Sequence, residues 1–338
     1  MQQLPTLQPN PASELTRDEI ARMSDEVRAL AAERNAVILA HNYQVPEIQD
    51  VADYTGDSLG LSRQAAATDA DAIVFCGVHF MAETAAILSP DTPVYIPDAD
   101  AGCSLADSIT ADQLRTWKQQ HPGAVVVMYV NTTAEVKAET DYCVTSSNAV
   151  EVVKHIYATH GENTEILFGP DMFLGSYVER MTGKRMKVWM GECHVHAGIR
   201  PMDIQKTWEE HKGADLLIHP ECGCSTSVME YAACGDIDAD NTYMLSTGGM
   251  IKHVDESRKD EFIVATETGM IYPLEKAHPD KKFIAANEQA VCQYMKMITL
   301  PKLRDCLRDM RADQRVTVDP AIAKRALIPI ERMVAVGA

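Results

Sequence analysis

The chain has 338 residues, with 31 basic against 49 acidic side chains and a formal net charge of −18. A hydrophobic fraction of 46% excludes a disordered chain, and no apolar run approaches the ~20 residues of a membrane-spanning helix. The acidity argues against nucleic acid, whose phosphates need clustered Lys and Arg; small anionic substrates stay open, because they see only a local field.

In chain order, the first stretch, MQQLPTLQPNPASELTRDE, lacks the apolar core of a secretory signal. A cytoplasmic protein is therefore expected, and its nine cysteines read as reduced thiols rather than a disulfide framework. Next, the amphipathic segment DEVRALAAERN precedes the apolar run AVILAHNY (36–43), then AIVFCG, PVYIPD and Cys103. The pattern returns as DQLRTWKQQHPG, AVVVMYVN (124–131), EILFGP, MKVWMG and Cys193. A third round runs DIQKTWEEHKG, ADLLIHPE (214–221), either TYMLST or EFIVAT, then KKFIAAN and Cys292. Short apolar runs that follow a helix and a turn are buried parallel strands.

His41, Tyr129 and His219 hold matching places in the three rounds, 88 and 90 residues apart. The cysteines lie 90 and 99 residues apart, and eleven residues beyond each an apolar residue (Leu114, Ile204, Leu303) opens a helix-like stretch. Length alone suggests about two domains; the repeat argues for three. The expected fold is α/β, with three similar α/β/α units whose short parallel sheets are arranged around a pseudo-threefold axis. The units span 1–109, 110–201 and 202–300, and helices in 301–338 pack back on the first. Ligands of such units gather beyond the C-terminal strand ends, so three ends on one axis make one shared pocket.

At those ends His41, Asn42, Tyr43, Tyr129, Asn131, His219 and Glu221 offer acids, bases and hydrogen-bond donors. Ser58 and Ser146 stand at apparent helix starts, as caps or as a place for carboxylate or phosphate. The turn at 246–249, with Ser246 and Thr247, is similar. No GxxxxGK[ST] or GxGxxG occurs, which weighs against nucleotide. Three thiols converging on one axis suit an iron–sulfur cluster, with one iron left open as a Lewis acid; buried structural thiols are the plainer alternative. Cys222 and Cys224 form a C-x-C, a weak metal or redox signal, read as adjacent exposed thiols outside the cluster. Two rival classes remain: an iron–sulfur redox sensor or electron-transfer protein, and a zinc hydrolase through His194 and His196, which lack the HExxH spacing.

The segments LAHNYQVPEIQDVADYTGDSLGLSRQA, AGCSLAD, YVNTTAEVKAETD, TSSNAV, WMGECHVHAG, HPEC and YMKMITLPKL resemble the quinolinate synthase family, over about residues 36–311. The resemblance implies an enzyme of NAD biosynthesis that condenses iminoaspartate with dihydroxyacetone phosphate to quinolinate, losing phosphate and two waters, with L-aspartate oxidase as a functional partner. It implies Cys103, Cys193 and Cys292 as ligands of an oxygen-sensitive [4Fe–4S] cluster. It implies substrate contacts from His41, Ser58, Tyr129, Val130, Asn131, Ser146, His219, Glu221 and Ser246 or Thr247. Tyr43, Glu221 and His196 become the acid–base candidates. The chain departs from many relatives at CGC after HPE and at STGGM. In a pocket that also takes a dicarboxylate, like charge and desolvation are expected to raise the pKa of Glu221.

Overall fold

The computed structural model describes residues 15–234 and 238–336. Residues 1–14 of the expected first unit, and 337–338 at the end, lie outside the described residues.

Each repeat starts with a capped amphipathic helix. Helix Arg17–Glu33 opens on a Thr16/Glu19 capping box and helix Ala111–Gln120 on a Thr110/Gln113 box, while Pro201–Glu210 begins with proline, whose fixed φ suits a first turn. A left-handed residue then turns the chain into the first strand: Asn35 (φ 45°), Gly123 (φ 90°) and Gly213 (φ 101°). Asn and Gly tolerate that conformation best.

The strands follow as β1 (Ala36–His41), β2 (Tyr54–Gly56), β3 (Ala72–Cys76) and β4 (Val94–Tyr95) in the first unit. The second holds β5 (Val125–Tyr129), β6 (Tyr142–Val144), β7 (Ile166–Gly169) and β8 (Lys187–Val188). The third holds β9 (Asp215–Ile218), β10 (Thr242–Met244), β11 (Glu261–Ala265) and β12 (Lys282–Ala285). Their sheet orders are β2-β1-β3-β4, β6-β5-β7-β8 and β10-β9-β11-β12, with every one of these pairs parallel. The fold is thus α/β, with three like units about a pseudo-threefold axis.

The order settles the alternative in the third unit. EFIVAT, as β11, is the counterpart of AIVFCG and EILFGP. TYMLST, as β10, matches β2 and β6, three-residue strands too short to register as apolar runs. Aspartates hold two of these edges: Asp53 accepts the Ile38 N–H at 2.7 Å and Asp141 the Val126 N–H at 2.8 Å.

The C-terminal segment does more than cover the first unit. Helix Leu300–Asp309 packs on helix Arg17–Glu33, and β13 (Arg315–Val316) adds an antiparallel edge beside β4. The last helix, Pro320–Ala335, lies against β6 and helix Ala134–Lys137 of the second unit as well as helix His79–Leu88 of the first. Asn148 Nδ2 donates to the carbonyls of Met333 (2.9 Å) and Val336 (3.2 Å), while Arg63 reaches the Val334 carbonyl at 3.0 Å. The helix therefore clamps two units together instead of belonging to one.

Candidate active site

The C-terminal ends of β1, β5 and β9 deliver His41, Tyr129 and His219 to one buried pocket. Tyr43, Asn131 and Glu221 enter from the turns that follow, and Ser58 and Thr247 from the first residues of helices. Ser146 joins them from the turn before helix Ala149–His160. Cys103, Cys193 and Cys292 line the same pocket, each half-buried. Residues 88 and 90 apart in the chain meet here because equivalent strand ends point to a common axis.

The two histidines are held alike. The Tyr43 N–H donates to His41 Nδ1 at 3.2 Å and the Glu221 N–H to His219 Nδ1 at 3.4 Å. With Nδ1 accepting, a neutral ring carries its proton on Nε2. Burial first, then neighbouring groups, holds His41 down to about 3 and His219 to about 4, so both rings are neutral donors near pH 7. His219 Nε2 meets Ser146 Oγ at 3.1 Å.

A chain of polar contacts joins the acid–base candidates. The Tyr43 hydroxyl lies 2.6 Å from Thr266 Oγ1 and 3.2 Å from His196 Nε2. His196 Nδ1 lies 3.1 Å from Glu221 Oε2 and 3.3 Å from Cys193 Sγ. His196 also stacks on His219, with ring centroids 4.9 Å apart. Burial, reinforced by the Glu221 charge, raises the Tyr43 and Tyr129 phenols well above their usual range, so both stay protonated.

Glu221 runs against expectation. Burial pushes its carboxyl up, but His219, His196 and a hydrogen bond from Tyr129 outweigh that and hold it at about 2. The protein groups around this carboxylate thus lower its pKa, whereas the like charge of a dicarboxylate acts in the opposite direction. Its Oε1 is buried with no partner, as is Asn131 Oδ1. Both are acceptors available to a ligand.

Two expected contact residues fall outside the pocket. Val130 is core, and its N–H is spent on the Val144 carbonyl at 2.8 Å. Ser246 caps helix Thr247–Glu256 by accepting the Gly249 N–H, and its hydroxyl donates to Asp57 at 3.3 Å. Thr247 faces the pocket and accepts from Asn42 Nδ2 at 3.0 Å. Cys222 and Cys224, read as exposed, are fully buried, and Cys222 Sγ donates to the Ala265 carbonyl at 3.0 Å. The C-x-C begins under the β9 end, where the chain turns back into the third unit's core.

Thr266 and Glu267 went unread in the sequence, because EFIVAT was one of two alternatives and the residue after it carried no pattern. Ser104 and His194, which follow Cys103 and Cys193, also meet, Oγ to Nδ1 at 2.6 Å.

Cys193, His196 and Glu221 offer ligand atoms all within 4.8 Å of one another, a spacing one metal ion could use; among the described residues no other such group occurs. The sulfurs of Cys103, Cys193 and Cys292 do not all approach that closely. Burial pushes Cys103 up to about 12, Cys292 up to about 11 and Cys193 well above the usual thiol range. Neighbouring charges add to this: Cys292 for Cys103, Glu267 for Cys292 and Glu221 for Cys193.

The chain is similar to known proteins over nearly its whole length. The profile described as "Quinolinate synthetase A protein" matches residues 25–335. A quinolinate synthase of Mycobacterium sp. (strain KMS) is 54% identical over 336 residues, 98% of each chain. Those of Mycobacterium tuberculosis (strain ATCC 25177 / H37Ra) and Mycolicibacterium paratuberculosis are also 54% identical, covering 94% and 95% of this chain and 89% and 90% of their own. A profile that runs through all three repeats, and relatives similar over nearly the whole length, place the chain in the quinolinate synthase family of enzymes.

Proposed function

We propose that the chain condenses iminoaspartate with dihydroxyacetone phosphate to quinolinate, releasing one phosphate and two waters, and that Cys103, Cys193 and Cys292 hold a [4Fe–4S] cluster. One observation carries the reading: three cysteines, the histidines, two tyrosines and Glu221 from all three repeats line a single pocket. The donor set fits the cluster. Three thiols that burial disfavours as thiolates need a cationic centre to stabilise them. At least one pair of their sulfurs lies more than 4.8 Å apart, beyond the ~3.8 Å between sulfurs on one zinc ion with bonds of about 2.3 Å. When bound, such a cluster supplies an iron without a protein ligand, a Lewis acid for a substrate oxygen.

The chain's own residues do the rest. His41 and His219 present Nε2–H groups, and Ser58, Ser146, Asn131 and Thr247 present hydroxyl and amide groups, to the substrate carboxylates. The starts of helices Ser58–Ala67 and Thr247–Glu256 favour that negative charge. Tyr43, held as a phenol, donates protons; Glu221, held as a carboxylate, accepts them at Oε1. His196 touches both and can return a proton from one to the other. Enclosure keeps water from the imine.

The same reading takes 1–109, 110–201 and 202–300 as the units, each bringing one cysteine, and L-aspartate oxidase as a functional partner. Nine unpaired thiols suit a reducing cytoplasm. A second reading, one metal ion on Cys193, His196 and Glu221, rests on their 4.8 Å grouping. Anaerobic incubation with both substrates decides the activity. Quinolinate and phosphate released in equal amounts support the proposal; no quinolinate from a brown, iron-loaded sample favours a sensor or electron carrier. A colourless zinc-loaded sample favours the single ion.

A further inference from the structure

Glu267 is fully buried, two residues beyond β11, and takes no part in the proton chain described above. Its carboxylate nevertheless gathers three donors. Oε1 accepts the Cys292 N–H at 3.0 Å and the Lys296 ammonium at 2.9 Å; Oε2 accepts the Gly269 N–H at 2.7 Å. Lys296 in turn donates to the Tyr43 carbonyl. A cysteine of the third unit and the phenol-bearing turn of the first are therefore joined through one ion pair, its carboxylate fully buried and its ammonium partly so.

Two further observations show that this arrangement is built. Gly269 leaves the space it needs: a Cβ there would sit 2.8 Å from Glu267 Oε2, Lys296 Nζ and the Tyr43 carbonyl oxygen alike. The equivalent place in the second unit, two residues beyond β7, is Asp171, also a fully buried carboxylate and in contact with the Cys193 amide. In the first unit that place is Val78, so the feature belongs to two repeats and was not imposed by the backbone alone.

We propose that Glu267 and Lys296 are positioning residues, which fix the Cys292 loop against the Tyr43 turn and set the charge beside the metal centre. The inference rests on the cluster reading above. A buried pair that loses one member leaves the other charge uncompensated. Removing the anion makes the site more positive and eases electron uptake by the cluster; removing the cation does the reverse. An opposite pair of shifts distinguishes positioning by charge from a general loss of structure.

The test uses anaerobically purified full-length protein, wild type, Glu267→Gln and Lys296→Met, with iron counted in each. Expected are wild-type iron content, a cluster midpoint potential shifted positive in Glu267→Gln and negative in Lys296→Met, and a lower kcat in both. An amide offers one acceptor oxygen where the carboxylate offers two, so one N–H at Cys292 or Gly269 loses its partner. Hydrogen exchange there should quicken about tenfold in Glu267→Gln, the worth of one such bond. Unchanged potentials, or shifts of the same sign, together with unchanged exchange overturn the inference. Wild-type protein without iron overturns the cluster reading, and the exchange measurement then decides the positioning claim by itself. Gly269→Ala guards against a variant that does not fold: crowding the same three atoms should also quicken exchange and lower kcat, and wild-type values for both count against the proposal.

Discussion

Glu221 keeps its charge although burial opposes it, because the His219 and His196 rings lie beside it and His196 and Tyr129 hydrogen-bond its carboxylate. In the proposed mechanism it is therefore the proton acceptor, and Tyr43, whose phenol burial pushes up, the donor. Glu221→Gln removes the acceptor with almost no change of shape. It should leave iron content and substrate binding intact and cost at least ~10²-fold in kcat, with an intermediate accumulating in single-turnover kinetics. Turnover near the wild-type rate would pass the role to Tyr43 or His196. Tyr43→Phe should likewise spare the iron, because the phenol touches Thr266 and His196 and no cysteine. Cys222 and Cys224 are buried beneath the same turn. Alanine at either should retain the iron, and alkylation of the folded protein should miss both thiols; iron loss in both variants would bring them into the ligand set.

At the scale of elements, the helix that starts at Thr247 separates two roles that sequence could not. Ser246→Ala loses the cap on Gly249 and should cost about 1 kcal/mol of stability in denaturant titration while KM changes little. Thr247→Val keeps the cap and removes the pocket hydroxyl, so KM for the imino dicarboxylate should rise several-fold with stability nearly intact. The reverse pattern would exchange their assignments. The strand ends were legible because buried parallel strands are written as unbroken apolar runs, and His41, Tyr129 and His219 close three of them. Strands β2 and β6 were not, since three residues carry no periodicity, and their pairing is set by the neighbouring strand rather than by their own composition. Val130 illustrates the same limit. The family resemblance implies a contact from it along with Tyr129 and Asn131, while its amide is committed to Val144 across the sheet. Nor could sequence reveal that the β9 turn folds its two thiols inward.

Over the whole molecule, the pocket exists only while three units stay together, and the last helix clamps two of them. Asn148→Ala removes both of its bonds to the C-terminal end of that helix and should cost about 1–3 kcal/mol, read from the urea midpoint. A midpoint at the wild-type value would show that packing alone closes the junction. Acid should also loosen the assembly. His41 and His219 titrate near 3 and 4 in the folded chain, chiefly through burial, but near 6.5 when unfolded. Below about 6.5 the unfolded chain therefore binds more protons, and stability is lost as the pH falls towards 4. The urea midpoint should drop between pH 7 and 5, and drop less in His219→Gln. Convergence of the three repeats on one cluster is the claim on which the rest depends, and counting iron and sulfide tests it most directly. Wild-type protein purified without oxygen should carry four of each per chain, and Cys103→Ala, Cys193→Ala and Cys292→Ala should each lose the stable centre and quinolinate formation. Four irons and full turnover in any one of those variants would contradict the account.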